Sequence, residues 1–163
     1  MSNNIDFTRS LVKGRIAETI FAQMLRDTEN YTVLEFGYEK IVPEIMRQSF
    51  GHDNPVIESL RVAPDFAVID LTTKEVRLIE VKYRYRLDPE NVLECAKKMH
   101  ESWNPSYLFV ATLGGFYFDE ISRIIQSNGY ISQLNEISDE IQSDYLQILK
   151  DFEKNTPTNK PTN

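Results

Sequence analysis

Arg61-Val62-Ala63-Pro64-Asp65-Phe66-Ala67-Val68-Ile69-Asp70-Leu71, followed after four polar residues by Val76-Arg77-Leu78-Ile79-Glu80-Val81-Lys82-Tyr83, is the stretch that decides how this chain folds. Phe66 to Leu71 is rich in branched and aromatic residues. Thr72-Thr73-Lys74-Glu75 is polar enough to turn, and Val76 to Tyr83 has the composition of a second strand. The pattern predicts a β-hairpin. Side chains alternate along a strand, so Glu80, Lys82, Arg84 and Arg86 are expected on one face and Ile79, Val81, Tyr83 and Tyr85 on the other. With Asp65 at the mouth of the first strand beside Glu80, the two carboxylates make a hard oxygen site suited to Mg²⁺ or Mn²⁺, and Lys82 lies one step along the same face. Such a site suits phosphodiester hydrolysis.

Working outward, Phe7 to Arg26 reads as an amphipathic helix, with Leu11, Ala17, Phe21, Met24 and Leu25 on an apolar arc and Asp6 or Thr8 as its N-cap. Glu18 interrupts the arc. Leu11, Glu18 and Leu25 are heptad-spaced, so the carboxylate is expected to point inward, where it needs a partner. Tyr31 to Gly37 reads as a strand. Pro43 to Ser49 reads as a short helix, Gly51 to Pro55 as a turn cluster, and Val56 to Val62 as either extended or helical. Downstream, Asp88-Pro89-Glu90 is a helix start with cap, proline at the first helical position and a carboxylate on the positive end of the dipole. That helix is expected to reach about Ser102. Tyr107 to Leu113 follows as a strand ended by Gly114-Gly115, and the strand–helix–strand order favours parallel pairing with the second hairpin strand. A further helix is expected over Phe118 to Ser127. A last one, framed by Ser138, carries Ile141, Tyr145, Ile148, Leu149 and Phe152.

Pro64-Asp65, fourteen intervening residues and Glu80-Val81-Lys82 together resemble the PD-(D/E)XK nuclease superfamily. The order helix, strand, strand pair with the motif, helix, strand supports the resemblance, as does Glu18 in Gly14-Arg15-Ile16-Ala17-Glu18, since members often carry a glutamate on the first helix that reaches the metal site. The resemblance implies an α/β, restriction-endonuclease-like three-layer core: a central mixed β-sheet flanked by helices, here with extra C-terminal helices. It implies a magnesium- or manganese-dependent endonuclease that hydrolyses phosphodiester bonds, with DNA a better fit than RNA. Asp65 and Glu80 would be the carboxylate ligands, the Val81 carbonyl a backbone ligand, and Glu18 a support for this metal or a second one. Lys82 would orient water or stabilise charge, because its ordinary pKa of about 10.4 and its acidic neighbours disfavour a role as base. Arg84 and Arg86 would hold a phosphate backbone. Cutting both strands of a duplex often needs two active sites, which makes a homodimer an expected arrangement, with the last helix as its interface.

Each residue also has a plainer reading. Asp65 after proline suits a turn, Glu80 and Lys82 suit an exposed strand face, and Glu18 suits an ion pair with Arg15. Arg84 and Arg86 suit solvated strand-end charges, with Tyr83 and Tyr85 in the core. Eighteen Lys and Arg against twenty-five Asp and Glu give a net charge of −7, whereas phosphate affinity normally comes from basic surface. A catalytically inactive nuclease-fold module, binding nucleic acid or assembling with protein, is therefore the alternative function.

The remaining composition narrows the class. A chain of 163 residues with 41% hydrophobic content suits one α/β domain, expected over 1–154, with a polar, disordered tail over 155–163. No apolar run reaches membrane-spanning length and no signal-peptide pattern opens the chain, so the cytoplasm is the expected location. Cys95 has no second cysteine to bridge and is expected buried or half-buried. His52 and His100 are too few for a zinc site, although His52 could line a substrate cleft.

Overall fold

In the computed structural model, which describes residues 2–36, 55, 59 and 62–155, the chain runs α1 (Ser2–Asp27), β1 (Tyr31–Glu35), β2 (Phe66–Asp70), β3 (Val76–Tyr83), α2 (Pro89–Ser102), β4 (Tyr107–Thr112), β5 (Gly115–Glu120), α3 (Ile121–Gln126) and α4 (Asp139–Asn155). The predicted hairpin forms from β2 and β3, paired antiparallel from Phe66↔Ile79 to Ile69↔Val76. Its turn is held by Asp70, whose Oδ1 accepts the N–H groups of Thr72 at 2.8 Å and Thr73 at 2.9 Å. This is the backbone mimicry that favours aspartate at turns.

β1 adds antiparallel to β2, β4 adds parallel to β3, and β5 closes antiparallel on β4, giving a mixed sheet in the order β1-β2-β3-β4-β5. Helices cover both faces. Phe109 and Ala111 of β4 face a cluster with Ala17, Phe21 and Met24 of α1 and Leu149 of α4. The alternate residues Leu108 and Val110 face Val92, Ala96 and Met99 of α2 and Ile121 and Ile124 of α3. The expected parallel crossover through α2 is present, and its cap is as read: Asp88 Oδ1 accepts the Glu90 N–H at 3.0 Å with Pro89 at the helix start. Among the described residues, no helix is long and apolar enough to cross a membrane.

Several boundaries differ from the expectations. α1 begins at Ser2, so neither Asp6 nor Thr8 is its cap. Thr8 Oγ1 donates to the Asn4 carbonyl at 2.8 Å, satisfying itself inside the helix. Leu11 is 50% exposed, which removes the outer end of the supposed apolar arc. The helix expected from Phe118 begins only at Ile121, because Gly115 does not end the sheet but turns the chain back into it. Gly115 sits at φ +144°, which side-chain-bearing residues rarely adopt, and the aromatic run Phe116-Tyr117-Phe118 makes the fifth strand. The last helix is capped by Ser138, whose Oγ accepts the Ile141 N–H at 3.4 Å, and it includes Asn155, the residue assigned to the tail. Gly37, the readings over 43–54, the interval 56–58 with 60–61, His52 and the tail beyond 155 lie outside the described residues.

Candidate active site

Asp65 is fixed from two sides. Its carbonyl accepts the Phe36 N–H at 2.8 Å, carrying the β1–β2 ladder one step past Glu35↔Phe66, and its carboxylate Oδ2 accepts the Val81 N–H at 2.8 Å. Fully buried Pro64 anchors the approach. Continuing the β2–β3 register one residue past Phe66↔Ile79 sets Asp65 opposite Glu80, side by side as the sequence suggested. Glu80 is 9% exposed and accepts a hydrogen bond from the Lys82 ammonium, two residues along the same face. Their partners on β4 are Leu108 and Val110, so the pair rests against an apolar neighbour rather than standing in open solvent.

Burial by itself would lower the pKa of Lys82, but the Glu80 carboxylate, through charge and hydrogen bond, more than offsets it and raises the ammonium above the ordinary lysine value. Lys82 is held as a cation. That suits orienting water or offsetting developing negative charge, and disfavours proton abstraction. Cys95 of α2 is half-buried near this pair, and burial pushes its thiol up, away from a reactive thiolate.

A depression of about 380 Å³ opens between α1 and the end of β3, and its walls include Glu18, Asp65 and Lys82. Of the two sequence readings of Glu18, the ion pair with Arg15 is present at 3.0 Å, and Glu18 also lines the same depression as Asp65 and Lys82. Arg84 and Tyr85 form the rim. β3 ends at Tyr83, so the expected alternation does not extend through Arg86: exposed Arg86 does not line the depression. Tyr85, expected in the core, is 51% exposed. Arg84 donates to the Tyr83 carbonyl at 2.9 Å and is half-buried.

The donor set fits a hard divalent cation by chemistry, since Asp65, Glu80, Glu18 and the Val81 carbonyl offer oxygen alone. Among the described residues, however, no three His, Cys, Asp or Glu side chains converge as a ligand group. Asp65 and Glu80 adjoin by register, while Glu18 lines the depression with Asp65, and Glu80 is not among its lining residues.

Three further residues shape this place. Lys13 of α1, only 3% exposed, contacts both carboxylate oxygens of Glu153 of α4, at 2.8 and 2.7 Å, and the Tyr83 hydroxyl donates to Glu153 Oε2 at 2.8 Å. Lys13 Nζ also lies 5.6 Å from the Tyr83 ring centroid. Lys13 and Tyr83 wall the depression, so α4 is tied to the site through one carboxylate. The signal that singled out Glu18 also marks these residues: Lys13 precedes Ala17 and Ile20 by four and seven positions, and Glu153 follows Leu149 and Leu146 by the same steps. No protein-family model matches this chain, and no curated protein matches it either.

Proposed function

We propose that this protein is a metal-dependent endonuclease of restriction-endonuclease-like fold that hydrolyses phosphodiester bonds in DNA. The observation that carries the reading is the Asp65 carboxylate hydrogen-bonded to the β3 backbone at Val81, opposite Glu80 and one step from a cationic Lys82. Asp65, Glu80 and the Val81 carbonyl would hold Mg²⁺ or Mn²⁺, with Glu18 in support, and the ion when bound would supply Lewis-acid activation of the phosphate and of water. Lys82 contributes a fixed positive charge beside the reacting phosphate, and Arg84 engages the backbone at the rim, with Arg86 beyond it. The same reading takes the protein as cytoplasmic and as a homodimer when it cuts duplex DNA.

The test is incubation with linear, supercoiled, single-stranded and branched DNA, and with RNA, in Mg²⁺, Mn²⁺ or EDTA. Cleavage in either metal is expected to vanish in EDTA and in folded Asp65→Ala and Lys82→Ala proteins. Unchanged cleavage in both variants removes the site.

One observation favours the alternative of a non-catalytic nuclease-fold module that binds nucleic acid or protein: the Glu80 carboxylate is already engaged by Lys82. A metal-dependent rise in thermal midpoint that disappears in Asp65→Asn supports the catalytic reading. No metal shift and no cleavage support the module.

A further inference from the structure

The rim of the depression combines features that the cleavage chemistry does not require. Tyr85 has half of its surface in solvent and lines the depression, together with Arg84, Lys82 and Lys13. The neighbouring Tyr83 is committed elsewhere, its hydroxyl to Glu153 and its ring to Lys13. Tyr85 is thus an exposed aromatic at a concavity lined by Lys13, Lys82 and Arg84 as well as by Glu18 and Asp65, in a chain whose net charge is −7. In a duplex the base faces are stacked on one another, leaving only base edges and backbone to meet such a rim. An unpaired base offers a π-face to an exposed aromatic while its phosphate meets the cations. The volume of about 380 Å³ lies in the range that admits a small ligand, which matches one nucleotide unit entering a pocket better than a duplex lying in a groove.

We infer that Tyr85 is a base-stacking platform and that the depression takes an unpaired nucleotide of single-stranded DNA, Arg84 holding the adjoining phosphate. This rests on the proposed nuclease reading for the identity of the site, but binding tests it without cleavage. The experiment measures fluorescence anisotropy of a labelled mixed-sequence single strand and of the matching duplex, in EDTA and low salt, for wild type, Tyr85→Ala and Tyr85→Phe. Wild type is expected to prefer the single strand. Tyr85→Ala is expected to lower the single-strand to duplex affinity ratio by about 5- to 150-fold, the range that one base–aromatic stack is worth, and Tyr85→Phe is expected to restore it.

An unchanged ratio in Tyr85→Ala, or a loss that Tyr85→Phe fails to restore, overturns the platform even if Asp65-dependent cleavage is intact. A Tyr85-dependent ratio in a protein that cleaves nothing in Mg²⁺ or Mn²⁺ keeps the platform and removes the nuclease. An RNA strand bound more tightly than DNA, with the same Tyr85 dependence, overturns the assignment to DNA.

Discussion

Replacing Glu153 with alanine tests whether the C-terminal helix is tied into the site through a buried charge. The Lys13 ammonium is 3% exposed and meets both Glu153 oxygens within 2.8 Å, so truncation removes the nearest counter-charge from a cation that water cannot reach well. Breaking a buried pair in this way typically costs about 3–5 kcal/mol. The Tyr83 ring 5.6 Å away, and the other groups around Lys13, keep some hold on the ammonium, which argues for the lower end, about 3 kcal/mol. The Tyr83 hydroxyl also loses its acceptor, a further cost of about 1 kcal/mol if water replaces it imperfectly. Urea unfolding reads the sum: with an m-value of about 2.5 kcal/mol per molar, the midpoint is expected to fall by about 1.5 M with unchanged slope. The double variant Lys13→Met/Glu153→Leu, which replaces the charges by apolar groups of similar volume, is expected to recover most of that loss. A fall below about 0.3 M in Glu153→Ala, the size of an exposed ion pair, refutes the reasoning.

Two other outcomes follow from local geometry. Asp70 is held below the ordinary carboxylate value of 3.8 by the Thr73 and Thr72 N–H groups, so its stabilisation of the hairpin is present above that pH and lost as pH falls through the lowered value. The gap in thermal midpoint between wild type and Asp70→Ala is therefore expected to narrow below pH 3.8, and a constant gap from pH 7 to pH 2 counts against the turn contact. Asp88→Ala removes the acceptor for the Glu90 N–H at the start of α2 and is expected to cost about 1 kcal/mol in equilibrium unfolding, with Asp88→Asn close to wild type. Equal losses in both variants would place the effect in charge rather than in capping.

The hairpin, the parallel crossover and the Asp65–Glu80 juxtaposition were legible because each depends on short-range rules: strand alternation, turn residues and a register counted from one turn. β5 is not legible in the sequence because Gly114-Gly115 has the composition of a strand stop. A glycine at positive φ reverses the chain as readily as it ends a strand, and only the pairing of Phe116 with Ala111 across the turn distinguishes the two. The far end of the charged face departs from the sequence expectation for a related reason. Strand alternation predicts one charged face through Arg86, but the strand ends at Tyr83, so Tyr85 lines the depression and Arg86 does not. The pairing of Lys13 with Glu153 spans 140 positions, and a single sequence shows each charge on its apolar arc without showing that the arcs meet.

The Lys82–Glu80 ion pair answers an electrostatic problem of the sheet. Register places Asp65 directly opposite Glu80, and like charges facing one another across adjacent strands destabilise a sheet. Lys82 offsets that repulsion from within β3, at a site where burial would otherwise favour its neutral form. The lysine therefore has a structural duty whether or not catalysis occurs, and so loss of cleavage in Lys82→Ala is informative only alongside its unfolding curve. Asp65→Asn is the cleaner probe of chemistry, because it removes one of the two facing charges while keeping a side-chain oxygen able to accept the Val81 N–H. A protein stabilised by Asp65→Asn yet deprived of cleavage would show that the two carboxylates are kept together for their chemistry, against the preference of the fold.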